Sequence, residues 1–260
     1  MKIMVCLKQV PHQDARLDIA SDGTWIKEDS IKFEINSYDT YALEAALQIK
    51  DAEESEVVVV SIGPDRVTQA LRTALGMGAD RAVHINDDAV NGSDALGLAK
   101  ALAAVAKAEN PDLIFTGLMS DDGNFAAVPP MLAELVGVPH TTAAVAIERS
   151  NGVLTVSREI EGGANEVQEL QSPCLVAVQT GLNQVRYASL KGIMAAKKKP
   201  LDVKTAADLG VSDQVGAGAA KVKIEQISAP VKGDSAEILG GSTDEVVSGL
   251  VNKIKELGLL

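Results

Sequence analysis

The chain predicts an α/β fold: an open, mostly parallel sheet with helices on both faces, an antiparallel extension and a C-terminal arm. Three observations predict it. Up to Thr116, short runs rich in Val and Ile alternate with segments whose apolar residues recur at helical spacing. Apolar residues make up 46% of the chain and aromatic ones only 3%, so Ala, Val, Leu and Ile must fill the core, as they do where helices pack closely on a sheet. Beyond Pro139 the pattern changes to short β-like runs separated by turn residues.

Taken in order, residues 2–7 form the first strand. Residues 9–30, with Pro11, Asp14, Asp18, Asp22 and Gly23, read as a loop carrying a small hairpin at Asp22-Gly23. Ser37 or Asp39 caps a helix over residues 40–50, with Leu43, Ala46, Leu47 and Ile49 on its buried side. Residues 57–62 are an unbroken apolar strand of the kind a parallel sheet buries on both faces. Pro64 opens a helix that keeps its apolar spacing to Leu75 and ends at Gly76. A strand over 81–85, a helix over 93–107, a turn at Asn110-Pro111-Asp112 and a strand over 113–116 complete the alternation. Parallel strands need such crossovers, and ligands of open parallel sheets sit outside the carboxyl ends of the strands. The loops there are 8–39, 63–65, 86–92 and 117–130.

Four further runs, 141–147, 153–160, 166–170 and 175–179, read as an antiparallel extension of the same sheet, with Asn151-Gly152 as a hairpin turn. From Ser212 to Asp234 periodicity is lost, which marks an arm. Ser242-Thr243-Asp244-Glu245 fits a capping box before a helix with Val246, Val247, Leu250, Val251, Ile254 and Leu257 on one face. Two parts follow, an α/β domain at 1–211 and an arm at 212–260.

Composition excludes several classes. A net charge of −12 repels nucleic acid and anionic lipid. Cys6 and Cys174, each in an apolar run, read as buried free thiols of a reducing compartment. No apolar run is long enough to cross a bilayer, so a soluble cytoplasmic protein without stable membrane insertion is expected. His12, His84 and His140 are dispersed, and no nucleophile elbow, zinc-protease motif, P-loop or dinucleotide fingerprint occurs. No catalytic constellation is therefore expected. The loop over 117–130 leads into an apparent helix start; on residues alone it fits a phosphate site and an ordinary capped loop equally well.

The least generic run is Asn183 to Pro200. Leu190, Ile193 and Met194 form a short apolar face amid Arg186, Lys191, Lys197, Lys198 and Lys199, positive charge concentrated in an acidic chain. Arg-Tyr-Ala-Ser-Leu, an Ile-Met pair and a lysine cluster in this order resemble the beta subunit of electron-transfer flavoproteins, and the likeness extends over about residues 1–211. The resemblance implies a Rossmann-like, adenine nucleotide alpha hydrolase-like sheet enclosing AMP. The matching positions are Cys6, Asn36, Ser37, Tyr38, Asp39 and Ile62, then Asp122, Gly123, Asn124, Phe125, Ala126, Ala127, Val128, Pro129, Pro130, Met131, Leu132 and Ala133. Cys6 and Ile62 would act through the backbone, Asn36 and Asn124 as side-chain donors and Asp122 as a ribose acceptor, while Asp121 caps a helix. Tyr38 and Glu166 would approach a flavin, FAD, held mainly by an alpha subunit to which the arm reaches. Leu190, ringed by Arg186 and the lysines, would meet flavin dehydrogenases. Two other readings stay open: an electron-bifurcating member with a second FAD in the AMP site, and a stress-protein-type nucleotide-binding regulatory module.

Overall fold

The computed structural model describes every residue except Ser30, Asn151, Lys232 and Asp234. Its centre is a nine-stranded sheet with the order β11-β5-β4-β1-β6-β10-β7-β8-β9. β1 (Lys2–Cys6), β4 (Glu56–Ile62), β5 (Arg81–Ile85), β6 (Leu113–Gly117), β10 (Cys174–Val178), β11 (Leu201–Lys204) and β7 (His140–Ser150) run parallel where they pair. β8 (Val153–Ile160) and β9 (Ala164–Gln171) add an antiparallel meander to β7. Val57, Val58, Val59 and Val60 are all fully buried, so the unbroken run is covered from both sides.

Alternation along the strands divides the core. Ile3, Val5, Val57 and Val59 pack on one face with Leu43 and Leu47 of α1 (Ser37–Ala52) and Leu71 and Leu75 of α2 (Val67–Met77). Met4, Cys6, Val58 and Val60 pack on the other with Leu102 and Val105 of α3 (Ala95–Glu109) and Leu132 and Ala133 of α4 (Val128–Val136). Each such side chain withdrawn from water contributes on the order of 1.5–3 kcal/mol. From β1 the chain builds outward to β4 and β5, then returns to place β6 and β10 on the other side. The switch point thus lies between β1 and β6.

The structure departs from the sequence reading in three places. β10 is no part of the antiparallel extension; it lies parallel between β6 and β7, with all five residues buried. β2 (Gln9–Pro11) pairs with β3 (Phe33–Ile35), while around Asp22-Gly23 there is one antiparallel bridge, Ile19 to Ile26. β7 and β8 do join at the expected hairpin, where Gly152 has φ +81°; Asn151 lies outside the described residues. Finally, α1 begins at Ser37, not near Thr40.

At the C-terminal end, α5 (Leu190–Ala196) lies against α2, and Val211 and Val215 still belong to the core. The expected capping box forms at α6 (Thr243–Glu256), where Glu245 accepts the Ser242 N–H at 2.7 Å. No residue of α6 is buried.

Candidate functional site

The carboxyl rim at the switch point is organised by two side chains of the β3–α1 junction. The Asp39 carboxylate accepts the N–H groups of Lys8 at 2.6 Å and Gly117 at 3.0 Å, tying α1 to the ends of β1 and β6. Asn36 donates to the Met119 carbonyl and accepts the Asp121 N–H, so its side chain ties the β3–α1 junction to the loop after β6. Asp121 accepts both the N–H and the hydroxyl of Ser37 at 2.9 Å. It is a helix cap, as expected, but for α1, a helix that begins 84 residues earlier in the chain. Asp122 pairs with the Lys8 ammonium at 2.6 Å, which also donates to Ser120.

Beyond this staple the loop enters α4 through strained backbone. Asn124 and Ala126 have φ of +54° and +50°, values that favour glycine. Pro129 and Pro130 remove two of the four donors a helix start exposes, leaving those of Ala127 and Val128. These N–H groups, and those of Phe125 and Ala126, have no partner among the described residues. The turn from Ala126 at φ +50° to Ala127 in the right-handed region at φ −96°, ψ −32°, is the alternation that cups an anion. Cys6 and Ile62 lie on this same face of the sheet. Thr116, at the end of β6, carries a buried hydroxyl without a hydrogen-bond partner. The free N–H donors at the α4 start and the orphaned hydroxyl at the end of β6 are groups of the kind that receive a phosphate and a sugar. Phe125 is 72% exposed, whereas Leu132 and Ala133 are core residues whose side chains are unavailable to a ligand. Burial and the neighbouring Asp39 push the Cys6 thiol far up, which leaves it inert.

On the α1 side of the rim a cleft of about 560 Å³ is lined by Tyr38, Val145, Glu159, Gly163, Asn165, Gln179 and Thr180. Tyr38 is one of these lining residues. Glu166 is not among these residues: it pairs with Arg158 across β8–β9, on the face opposite Glu159 and Asn165, which stand in register with each other. Strand alternation around Glu159 was the signal that would have selected Asn165. Gln179 and Thr180 follow β10, whose placement in the parallel sheet brings them to the rim.

A third feature is the tip of α5. Leu190, Ile193 and Met194 are 85%, 48% and 68% exposed, beside exposed Lys191, Lys197 and Lys198. The two other basic residues of the expected ring are engaged inward. Arg186 pairs with Glu44 at 2.8 Å and Asp51 at 2.7 Å. Lys199 donates to the carbonyls of Leu75 and Ala79 at the end of α2, and its burial, together with Lys50, lowers its proton affinity.

Among the described residues no group of three or more His, Cys, Asp or Glu side chains could hold a metal ion, and no helix is long and apolar enough to cross a membrane. Fold and rim together define an open-sheet α/β protein with an exposed apolar tip on α5. The electron transfer flavoprotein domain matches residues 23–209. The chain is 36% identical over 261 residues to the electron transfer flavoprotein subunit beta of Methylophilus methylotrophus, with 98% of each chain covered. It is 36% identical over 256 residues to the mitochondrial electron transfer flavoprotein subunit beta of Arabidopsis thaliana, covering 97% of this chain and 98% of that one. Similarity to the caffeyl-CoA reductase-Etf complex subunit CarD of Acetobacterium woodii is 36% over 261 residues, with 98% of each covered. The chain belongs to the electron transfer flavoprotein family, on its beta-subunit side, a family of electron carriers that work with a flavin.

Proposed function

We propose that this chain is the beta subunit of a heterodimeric electron-transfer flavoprotein. FAD is held mainly by the alpha subunit, AMP sits at the α4 start as a structural nucleotide, and flavin dehydrogenases supply the electrons. The flavin supplies the redox chemistry when bound; this chain supplies binding, orientation and exclusion of water. Tyr38, Glu159, Asn165 and Gln179 offer it one wall, while the N–H groups of Phe125 to Val128 and the Thr116 hydroxyl receive the nucleotide. The arm over 212–260 is the part that grips the alpha subunit.

The observation that carries the carrier role is the α5 tip, three apolar side chains held in water on a braced helix. Transient redox contacts are small, so one apolar anchor ringed by charge can dominate them. Leu190→Ala in the purified heterodimer is expected to lower electron transfer from a dehydrogenase at least tenfold while flavin content stays unchanged. Undiminished transfer overturns the docking role.

A second reading replaces AMP by a second FAD, and the likeness to a subunit of a reductase–flavoprotein complex gives it standing. Releasing the bound nucleotide and identifying it by mass and absorbance separates the two. One flavin and one AMP per heterodimer support the first reading, and two flavins support the second. The two free buried cysteines favour a reducing compartment such as the cytoplasm.

A further inference from the structure

The cleft wall contains an irregularity that neither the sheet nor the ligand site explains. Against β10, Val176 pairs with Thr141 but Val178 with Ala144, so β7 has one residue too many. Against β8, Ala144 pairs with Arg158 and Ala146 with Ser157, which leaves Val145 without a partner. β7 is thus bulged on both flanks within residues 142–145. Between the two surplus positions, Ala143 has φ +57°, a left-handed conformation that a Cβ makes unfavourable.

Bulges re-aim side chains, and this one shapes the cleft. Val145 is among its lining residues. The Ala144 carbonyl accepts the N–H of Gln179 at 2.9 Å, and the Gln179 side chain donates to Glu159 at 3.2 Å and accepts the N–H of Thr180 at 2.9 Å. Three polar lining residues therefore take their positions from the bulge.

One side chain grips the bulge from the opposite face. Arg158 donates through Nε to the Thr142 carbonyl and through Nη2 to the Thr142 hydroxyl, both at 3.2 Å. Its remaining arm, Nη1, meets Glu166 at 3.3 Å. A planar guanidinium with donors in a fixed fork fixes both the position and the rotation of the residue it holds. We infer that Arg158, oriented by Glu166, holds the β7 bulge in its strained form and so sets the polar wall of the flavin-facing cleft. It is a positioning residue and lines no part of the cleft. The inference rests on the proposed flavin site, and Glu166 serves that site through Arg158 rather than by contact.

The test uses the purified heterodimer with Arg158→Gln, Ala143→Gly and the double variant. Amide exchange of the segment containing Gln179 reports the bulge, and visible circular dichroism of the bound flavin reports the cleft. In Arg158→Gln, exchange is expected to quicken about tenfold and the flavin signal to change. Glycine takes the left-handed conformation without strain, so the double variant should return both readouts most of the way to wild type. Unchanged Gln179 exchange in Arg158→Gln overturns the clamp. Faster exchange with an unaltered flavin signal keeps the clamp and removes the flavin from this cleft, so the two failures are distinguishable. If Arg158→Gln yields no folded complex, Ala143→Gly alone decides: its thermal midpoint should rise by about 1–3 °C as strain is released, and a fall overturns the strained bulge.

Discussion

Asp39 joins α1, β1 and β6 through a single buried carboxylate, and that placement gives the fold a pH dependence. Burial pushes its carboxyl up to about 7, against the Lys8 and Gly117 N–H groups and the Lys8 charge that pull it down. Between about pH 4 and pH 7 the folded chain therefore holds a proton that the unfolded chain has released. The stability tied to that proton is complete below about pH 4 and is lost as pH rises through 7. Asp39→Asn mimics the protonated acid and cannot ionise. Relative to this variant, wild type should lose about 2–3 kcal/mol between pH 5 and pH 8, read from urea midpoints. Parallel profiles would show a carboxyl that stays ionised throughout. Asp39 and Asn36 were legible in the sequence as rim residues, but their use was not. Their partners, Gly117, Met119 and Asp121, lie about eighty residues away, and no local spacing encodes a bond across the switch point.

α5 is a short helix, and its steadiness comes from α2 rather than from its own length. Arg72 donates to the Ala196 and Lys199 carbonyls at 2.6 and 2.8 Å, while Lys199 caps the end of α2 in return. The two helices meet where glycine faces glycine. A Cβ on Gly192 would fall within van der Waals contact of the Gly76 carbonyl oxygen, and one on Gly76 would lie 3.3 Å from the Ala188 Cβ. Gly192→Ala should therefore push α5 off α2, destabilising the chain by about 1–3 kcal/mol by thermal unfolding. If the α5 tip docks as proposed, it should also slow transfer from a dehydrogenase although Leu190, Ile193 and Met194 are unchanged. Gly192→Ala with wild-type stability and transfer would show that the close approach is not needed. The sequence reads Gly76 as the end of α2, but the helix continues through it to Met77 and Gly78 is the cap; Gly76 instead makes room for α5. Elements were readable where burial writes a pattern, as in the Val57 to Val60 run, and misplaced where pattern names no neighbour. Cys174 to Val178 is as unbroken as a buried parallel strand should be, yet adjacency to the β7–β9 meander in sequence pointed to an antiparallel pairing.

At the scale of the whole chain, the sheet closes its own core, while the described residues beyond Ala220 are none of them buried. The arm is rooted on the rim: Asp94, which caps α3 through the Gly97 N–H, also accepts the N–H groups of Lys221 and Val222 at 2.6 and 3.1 Å. Farther on, Ile227 donates to the Gly23 carbonyl at 2.8 Å. Thereafter Val231, Ile238, Val247, Leu250 and Leu257 are exposed, and α6 buries no residue of its own. An apolar stripe on a well-capped helix does not repay its ordering in water unless another surface covers it. Folding and assembly should consequently separate when the chain is cut after Ala220, which spares Val211 and Val215 in the core and forfeits the three arm hydrogen bonds. The truncated chain is expected to unfold within about 1–2 kcal/mol of the full one. Co-expressed with the alpha subunit, it should lose most of its co-purifying partner and bound flavin, because the exposed apolar stripe of α6 is gone. A truncated chain that still forms the heterodimer at full yield would move the assembly surface from the arm to the rim and to the β7–β9 meander beside it.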